Sequence, residues 1–160
     1  MSATHLHAGV TMQVEFHTGV AQPTHFACRL LRKAYRKGTR IAVIAPAATL
    51  QQLDRELWTF DERDFVPHLR IGREPARAAL RARTPLWLLD AALLEDGWPE
   101  TTPEVLVNLG SELVAEGSPA TRLIEIVAHD ADEADRARLR WRAYRALGWE
   151  VVHHNPRPAP

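Results

Sequence analysis

The chain has 160 residues, of which 46% are hydrophobic and 25% are charged, a composition typical of one globular domain. Its 20 Lys and Arg residues balance 20 Asp and Glu residues, which excludes a protein that coats nucleic acid with its whole surface. The single cysteine, Cys28, excludes an internal disulfide bond, and no apolar run approaches the roughly 20 residues that cross a bilayer. The N-terminus lacks a secretory signal pattern, so we expect a soluble cytoplasmic protein with no membrane contact.

Apolar patterning over the first third of the chain predicts a strand, a helix and a second strand. Residues 12–20 alternate apolar and polar side chains, as a half-buried strand does. Pro23 is suited to begin a helix and Gly38 to end it. Residues 39–46, TRIAVIAP, contain a short continuous apolar run, which is typical of a buried parallel strand.

The rest of the chain continues this alternation. A second helix is predicted over 49–60 with Thr49 as its N-cap, and a loop over 61–72. A last long helix is predicted from about residue 132. Four later apolar runs are predicted as strands: 84–90, 104–110, 122–129 and 149–154.

Strands that alternate with helices predict the α/β class, with a mostly parallel central sheet and helices on both faces. One three-layer domain is expected over 12–154, with flexible ends at 1–11 and 155–160. The turns at 17–26 and 45–50 contain neither GxGxxG nor GxxxxGK[ST]. We therefore expect a Rossmann-like fold without a Gly-rich phosphate loop.

Residue types that carry catalysis or bind metals form no recognisable pattern. The eight histidines include no HExxH motif, and the adjacent His153 and His154 would point to opposite faces of a strand. Cys28 lies in an apolar helical pattern, which favours a small core residue over a nucleophile. The sequence thus predicts no metal, no cofactor and no catalytic residue, and it favours a binding role.

The last predicted helix concentrates five arginines and two tryptophans within residues 132–151. At about 100° per residue, Arg138, Arg142 and Arg145 share one narrow face, with Trp141 at its margin. Guanidinium groups beside an aromatic ring suit a peptide carboxylate with an apolar last residue, or a base with its phosphate. A solvated face with no binding role is the third possibility. An apolar stripe is expected to pack on the sheet through Leu139, Ala143, Ala146 and Leu147.

Three stretches of the chain resemble a known family. They are YRKGTRIAVIAP (35–46), LDRELWTFDERDFVPH (53–68) and RLRWRAYRALGWEV (138–151). Together they resemble the chi subunit family of the bacterial DNA polymerase III holoenzyme, and the similarity extends from about Met12 to Val152. The resemblance implies a compact α/β accessory subunit that acts in DNA replication and repair and is not an enzyme.

The resemblance also implies partners and site residues. One partner is psi, which tethers chi to the clamp loader, and some family members bind a helicase in its place. The other is the acidic C-terminal tail of single-stranded DNA-binding protein, which ends in Pro-Phe, so that DNA is contacted only indirectly. The resemblance assigns the tail to Val127, Arg138, Trp141, Arg142, Arg145 and Gly148. It assigns psi or the helicase to Trp58, Phe65 and Pro67.

Two other functions stay open. The arginine face could bind single-stranded nucleic acid directly, or the domain could be a small-molecule enzyme of the α/β type. The internal packing of Trp58 is an alternative to its partner role, because Trp58 falls near the apolar face of its predicted helix. The family often has tyrosine where this chain has Trp141, so the details of the tail pocket are expected to differ.

Overall fold

The structure is a computed structural model that describes residues 11–61, 63, 65–71, 78–96, 98, 101–112 and 117–154. Most of both predicted flexible ends, residues 1–10 and 155–160, lies outside this part of the chain. The strands are β1 Gln13–Val20, β2 Ile41–Ala45, β3 His68–Ile71, β4 Leu86–Asp90, β5 Val105–Leu109, β6 Arg122–Ala128 and β7 Glu150–His154. The helices are α1 Pro23–Arg36, α2 Ala47–Thr59, α3 Ala78–Arg83 and α4 Ala131–Ala146, with a 3-10 helix over Ala91–Asp96.

The strands form one parallel sheet in the order β3-β4-β2-β5-β6-β1-β7. α1 and α2 share a hydrophobic core with one face of the sheet, and α4 shares a second core with the other face. All five residues of β2 are buried, as expected for a central strand covered on both faces. The predicted α/β fold, with helices on both faces of its sheet, is confirmed.

Two local predictions are wrong. The predicted loop over 61–72 contains β3, a four-residue edge strand that pairs with β4. Its polar His68 and Arg70 break the apolar run that would have revealed it. α2 begins at Ala47 rather than after Thr49, because Pro46 has extended backbone geometry and its carbonyl oxygen accepts the Leu50 amide at 3.0 Å.

The two cation-rich helices, α1 and α4, end in the same way. Gly38 and Gly148 follow the C-cap residues with φ of 75° and 81°, a region that favours glycine. In each case the next amide donates to the carbonyl five residues earlier, at 2.9 Å after α1 and 3.2 Å after α4. This Schellman arrangement satisfies a terminal carbonyl and turns the chain into the following strand.

Three further findings concern membranes, metal sites and the cysteine. The described part of the chain contains no helix long and apolar enough to cross a membrane. Within the same residues, no group of three His, Cys, Asp or Glu side chains could hold a metal ion. Cys28 is buried in the core beneath α1, as predicted, and burial raises the pKa of its thiol to about 12.

Candidate functional site

The buried face of α4 includes two polar side chains and not the predicted apolar stripe. Arg140 and Tyr144 are buried against the sheet, whereas Leu139 is 63% exposed and Leu147 is 38% exposed. The prediction that the Leu139 stripe packs on the sheet is therefore wrong. The cause is Glu125, a carboxylate on β6 that faces α4 and has no access to solvent. A buried carboxylate needs charged or hydrogen-bonding partners, and these determine which side of the helix turns inward.

Glu125 is the centre of a buried hydrogen-bond network. Arg140 Nε donates to Glu125 Oε2 at 3.1 Å, and the Tyr144 hydroxyl donates to the same oxygen at 2.6 Å. Asn108 Nδ2, on the neighbouring strand β5, donates to it at 3.1 Å and also to the Ser111 carbonyl at 3.0 Å. Burial raises the pKa of Glu125, and the charge of Arg140 opposes that rise. This network fixes the rotation of α4.

That rotation places Trp141 at the edge of the helix–sheet contact, next to an open pocket. The cavity measures about 460 Å³ and lies between α4 and the strands β1 and β7. Phe16 and His153 are register partners on β1 and β7 and form its floor. Trp141 packs against both, with ring centroids 5.2 Å from Phe16 and 6.2 Å from His153. The His153 ring is held by Thr18, whose Oγ1 lies 2.6 Å from Nε2.

Two guanidinium groups stand at the rim of this α4 pocket. Arg138 and Arg142 both line the cavity and are exposed on the outer side of α4. Arg138 pairs with Asp135 at 2.6 Å, but an ion pair this exposed contributes little energy and exchanges readily. In the described ranges Arg142 has no ion-pair partner. The pocket therefore combines an aromatic interior with a cationic rim on which Arg138 has only an exposed ion pair.

A second exposed feature lies at the β3 edge of the sheet. The Trp58 and Phe65 rings stack with centroids 4.8 Å apart, and they are 61% and 48% exposed. Internal packing of Trp58 is thus contradicted. The pair rests on His68, whose ring nitrogens lie 2.7 Å from Asp54 Oδ1 and 2.9 Å from the Val66 carbonyl oxygen. We call Trp58, Phe65 and the half-buried Pro67 the aromatic patch.

Sequence comparison identifies the family. The family described as DNA polymerase III chi subunit, HolC, matches residues 12–152. The chain belongs to this family. It is 30% identical over 129 residues to the DNA polymerase III subunit chi of Pseudomonas aeruginosa, covering 80% of this chain and 82% of that one. It is 27% identical over 133 residues to the Haemophilus influenzae subunit, covering 81% and 84%.

Comparison with solved structures supports the fold alone. The C-terminal domain of the DEAD-box protein Dbp5 superposes with a TM-score of 0.56 at 13% identity, covering 91% of each chain. Such a parallel sheet is shared by proteins of many functions, so this similarity gives no activity. The resemblance to the chi family, inferred from three sequence stretches, is confirmed, and the chain is a DNA polymerase III accessory subunit by family.

The structure brings together only part of the predicted chi-type tail site. Arg138, Trp141 and Arg142 meet at the α4 pocket. Val127 is buried in the core beneath and does not line the cavity, while Arg145 is exposed on α4 outside it. Gly148 ends the helix. The sequence did not reveal the lining residues Ala134 and Ala137 of α4. It also did not reveal four lining residues from two strands about 135 residues apart: Phe16, Thr18, Gly19 and His153.

Proposed function

We propose that this chi-family chain is a non-catalytic adaptor of the DNA polymerase III holoenzyme. It links the clamp-loader complex, through psi, to the acidic C-terminal tail of single-stranded DNA-binding protein. The observation that carries the proposal is the α4 pocket, an aromatic socket with Arg138 and Arg142 at its rim. A socket beside two cations matches a peptide whose last residue is a phenylalanine that carries the terminal carboxylate.

The chemistry of such a tail fits each part of the pocket. The Phe ring enters the cavity and packs against Trp141 above the Phe16 floor, where it gains aromatic contact. The carboxylate accepts forked hydrogen bonds from Arg138 or Arg142, and preceding acidic residues lie along the same rim. A partly desolvated bidentate contact contributes about 1.5–3 kcal/mol, and one buried Phe side chain contributes roughly the same. After the cost of association, we expect a micromolar dissociation constant.

The aromatic patch is the proposed site for psi or for a helicase in its place. Stacked, exposed Trp58 and Phe65 are the residue types that dominate the binding energy of protein interfaces. The patch lies by β3, at one edge of the sheet, and the α4 pocket lies by β7, at the other edge. One chain therefore has room for both partners at the same time.

Fluorescence anisotropy of a labelled acidic peptide ending in Asp-Ile-Pro-Phe tests the tail site. The wild-type chain is expected to bind with micromolar affinity that weakens with salt, and Arg138→Ala is expected to weaken binding at least tenfold. Arg136→Ala is the matched control. It removes the same charge from the same helix, but Arg136 pairs with Glu133 at 3.1 Å and does not line the pocket.

Two outcomes would contradict this function. Equal losses of peptide affinity in Arg138→Ala and Arg136→Ala would mean that binding depends on the net charge of the helix and not on the pocket. If the peptide does not bind, and an oligonucleotide binds but is lost in Arg138→Ala and Arg142→Ala, then α4 is a direct nucleic-acid-binding face.

A separate experiment tests the aromatic patch. The wild-type chain should capture psi, and this capture should be lost in Trp58→Ala and retained in Arg138→Ala.

A further inference from the structure

A cation-rich surface on α1 has no role in the proposed adaptor function. Residues 23–40 contain six Lys and Arg residues and no Asp or Glu. Arg32 is neutralised by Asp61 at 2.7 Å, and Arg40 donates to the Ala82 carbonyl oxygen at 2.8 Å. The exposed side chains that recur every fourth residue are Arg29, Lys33 and Lys37. Four residues of helix rise about 6 Å, so these three charges form a regular row.

The row forms one wall of a groove between α1 and the sheet. The groove measures about 440 Å³, and Arg29, Lys33 and Lys37 all line it. Its floor is apolar and includes Leu30 from α1 and Ile124 from β6. The volume lies within the range of ligand-binding clefts, and the groove is open to solvent.

The opposite side of the groove opens onto an uncovered part of the sheet. Residues of β1 and β7 that pair in register point to the same face, and His17 pairs with His154 there, as Glu15 pairs with Val152. Val152 and His154 are exposed. Because this face belongs to the α1 side, it lies opposite the face on which Phe16 and His153 form the α4 pocket.

Three aromatic rings run beside the row of cations. The Phe26 and His17 ring centroids are 5.4 Å apart, and the His17 and His154 rings stack at 5.0 Å with an interplanar angle of 18°. Arg29 lies over the Phe26 ring at 5.8 Å. We call these three rings the ring row. Flat rings at the edge of a cationic groove are the arrangement on which unpaired bases stack.

The groove also carries an excess of positive charge. Among its described lining residues the one acid is Glu15, which is already paired with Arg122 at 2.9 Å and lies 3.6 Å from His17 Nε2. Over the described residues, Lys33 and Lys37 have no ion-pair partner. An incoming polyanion would thus meet cations that are free to pair.

We propose that this α1 groove binds a single strand of nucleic acid, with its phosphates along Arg29, Lys33 and Lys37 and a base against the ring row. A strand repeats one negative charge per nucleotide and offers a stacking face at each, which complements both the row of cations and the rings. An acidic peptide would use the cations but not the rings. The groove is independent of the tail site, since the two occupy opposite faces of β1 and β7.

The test is anisotropy of a fluorescein-labelled oligothymidylate with the full chain. We expect binding in low salt whose affinity falls about twentyfold between 50 and 200 mM, because contact with three phosphates gives a slope near −2 on a log–log plot. The double variant Lys33→Ala/Lys37→Ala should lose at least tenfold in affinity and most of the salt dependence. His154→Ala should lose about fivefold by removing one stacking surface.

Controls separate this groove from α4 and from unspecific charge. Arg138→Ala/Arg142→Ala removes two cations from α4 and should leave oligonucleotide binding unchanged, while Lys33→Ala/Lys37→Ala should leave peptide binding unchanged. Retained peptide binding also shows that the double variant is folded. The proposal is overturned if the oligonucleotide does not bind at 50 mM salt, or if the α4 variant abolishes binding. It is equally overturned if labelled oligoglutamate of equal length binds as tightly, since the groove would then accept an acidic polypeptide.

Discussion

α1 and α4 are both rich in arginine, but they are anchored to the sheet by different means. α1 buries Ala27, Cys28 and Leu31, and its cations remain on the surface. α4 buries Arg140 and Tyr144 and leaves Leu139 exposed. The orientation of α1 thus follows from its own apolar spacing, whereas that of α4 follows from a carboxylate on the strand beneath it.

The difference has a functional consequence. An apolar contact is non-directional, so similar side chains could hold α1 at slightly different rotations. The Glu125 network is directional, because Arg140 and Tyr144 must each reach the same carboxylate. It therefore sets Arg138, Trp141 and Arg142 at the pocket with a fixed geometry, which suits the proposed binding of a carboxylate beside a ring.

The largest effect is expected from Glu125→Gln, which breaks the anchor of α4. Arg140 would remain buried without its counter-charge, and this costs about 3–5 kcal/mol of unfolding free energy. Urea denaturation followed by tryptophan fluorescence measures the loss. Asp135→Asn removes an equal charge from the exposed partner of Arg138 and should change stability by less than about 1 kcal/mol. Equal effects of the two substitutions would contradict the anchoring role of Glu125.

Two leucine substitutions test the same difference between α1 and α4. Leu31→Ala in α1 opens a cavity in the core and should cost about 2–5 kcal/mol. Leu139→Ala in α4 removes a solvent-exposed side chain and should stay within about 0.5 kcal/mol. The urea denaturation midpoints of the two variants measure these stability losses. A large loss of stability in Leu139→Ala would mean that Leu139 packs on the sheet, as the sequence predicted.

Much of the fold was predictable from the sequence because it depends on local patterns. The apolar run of β2 and the stop at Gly38 require only neighbouring residues. The rotation of α4 was not predictable from the sequence. Glu125 lies 15 residues before Arg140, and no local pattern shows that these two residues meet. The hydrophobic periodicity of α4 favoured its Leu139 side, and a buried ion pair overrode it.

The candidate site likewise contains some residues that a local pattern predicts and others that it does not. Arg138, Trp141 and Arg142 were found from one helix because they share one face. Phe16 and His153 become part of the pocket only through the pairing of the first strand with the last, which no local pattern reveals. Val127 was placed in the pocket by family resemblance, but it lies one layer deeper, in the core that supports the pocket.

α1 and α4 end in the same way, so substitutions of their terminal glycines form a matched pair with smaller expected effects. A Cβ added at Gly38 or Gly148 would meet no atom within 4 Å, so only the positive φ opposes a substitution. Gly38→Ala and Gly148→Ala should each cost about 1–2 kcal/mol. Peptide anisotropy on the same variants tests whether Gly148 belongs to the tail site. A tenfold loss of affinity in Gly148→Ala alone would place it there, while equal affinities would leave it a helix terminus only.

The smallest expected effect is a pH dependence of stability that comes from His17, on the α1 side of β1. Burial, and then the neighbouring His154, lowers the pKa of His17 below its ordinary 6.5, and Arg122 acts in the same direction against an opposing Glu15. The unfolded chain therefore binds a proton at His17 more readily than the folded chain. His17 contributes stability that is present above pH 6.5 and is lost as the pH falls from there towards its folded pKa.

Urea denaturation at pH 7 and pH 5 measures this contribution. The wild-type chain should lose more stability on acidification than His17→Gln, because the lowered pKa of His17 favours protonation of the unfolded wild-type chain. Comparing the two chains cancels the titrations of groups that do not interact with His17. An equal loss in both would mean that the His17 ring is as well hydrated in the folded chain as in the unfolded one. The ring would then be open to water at the point where the α1 groove is proposed to stack a base.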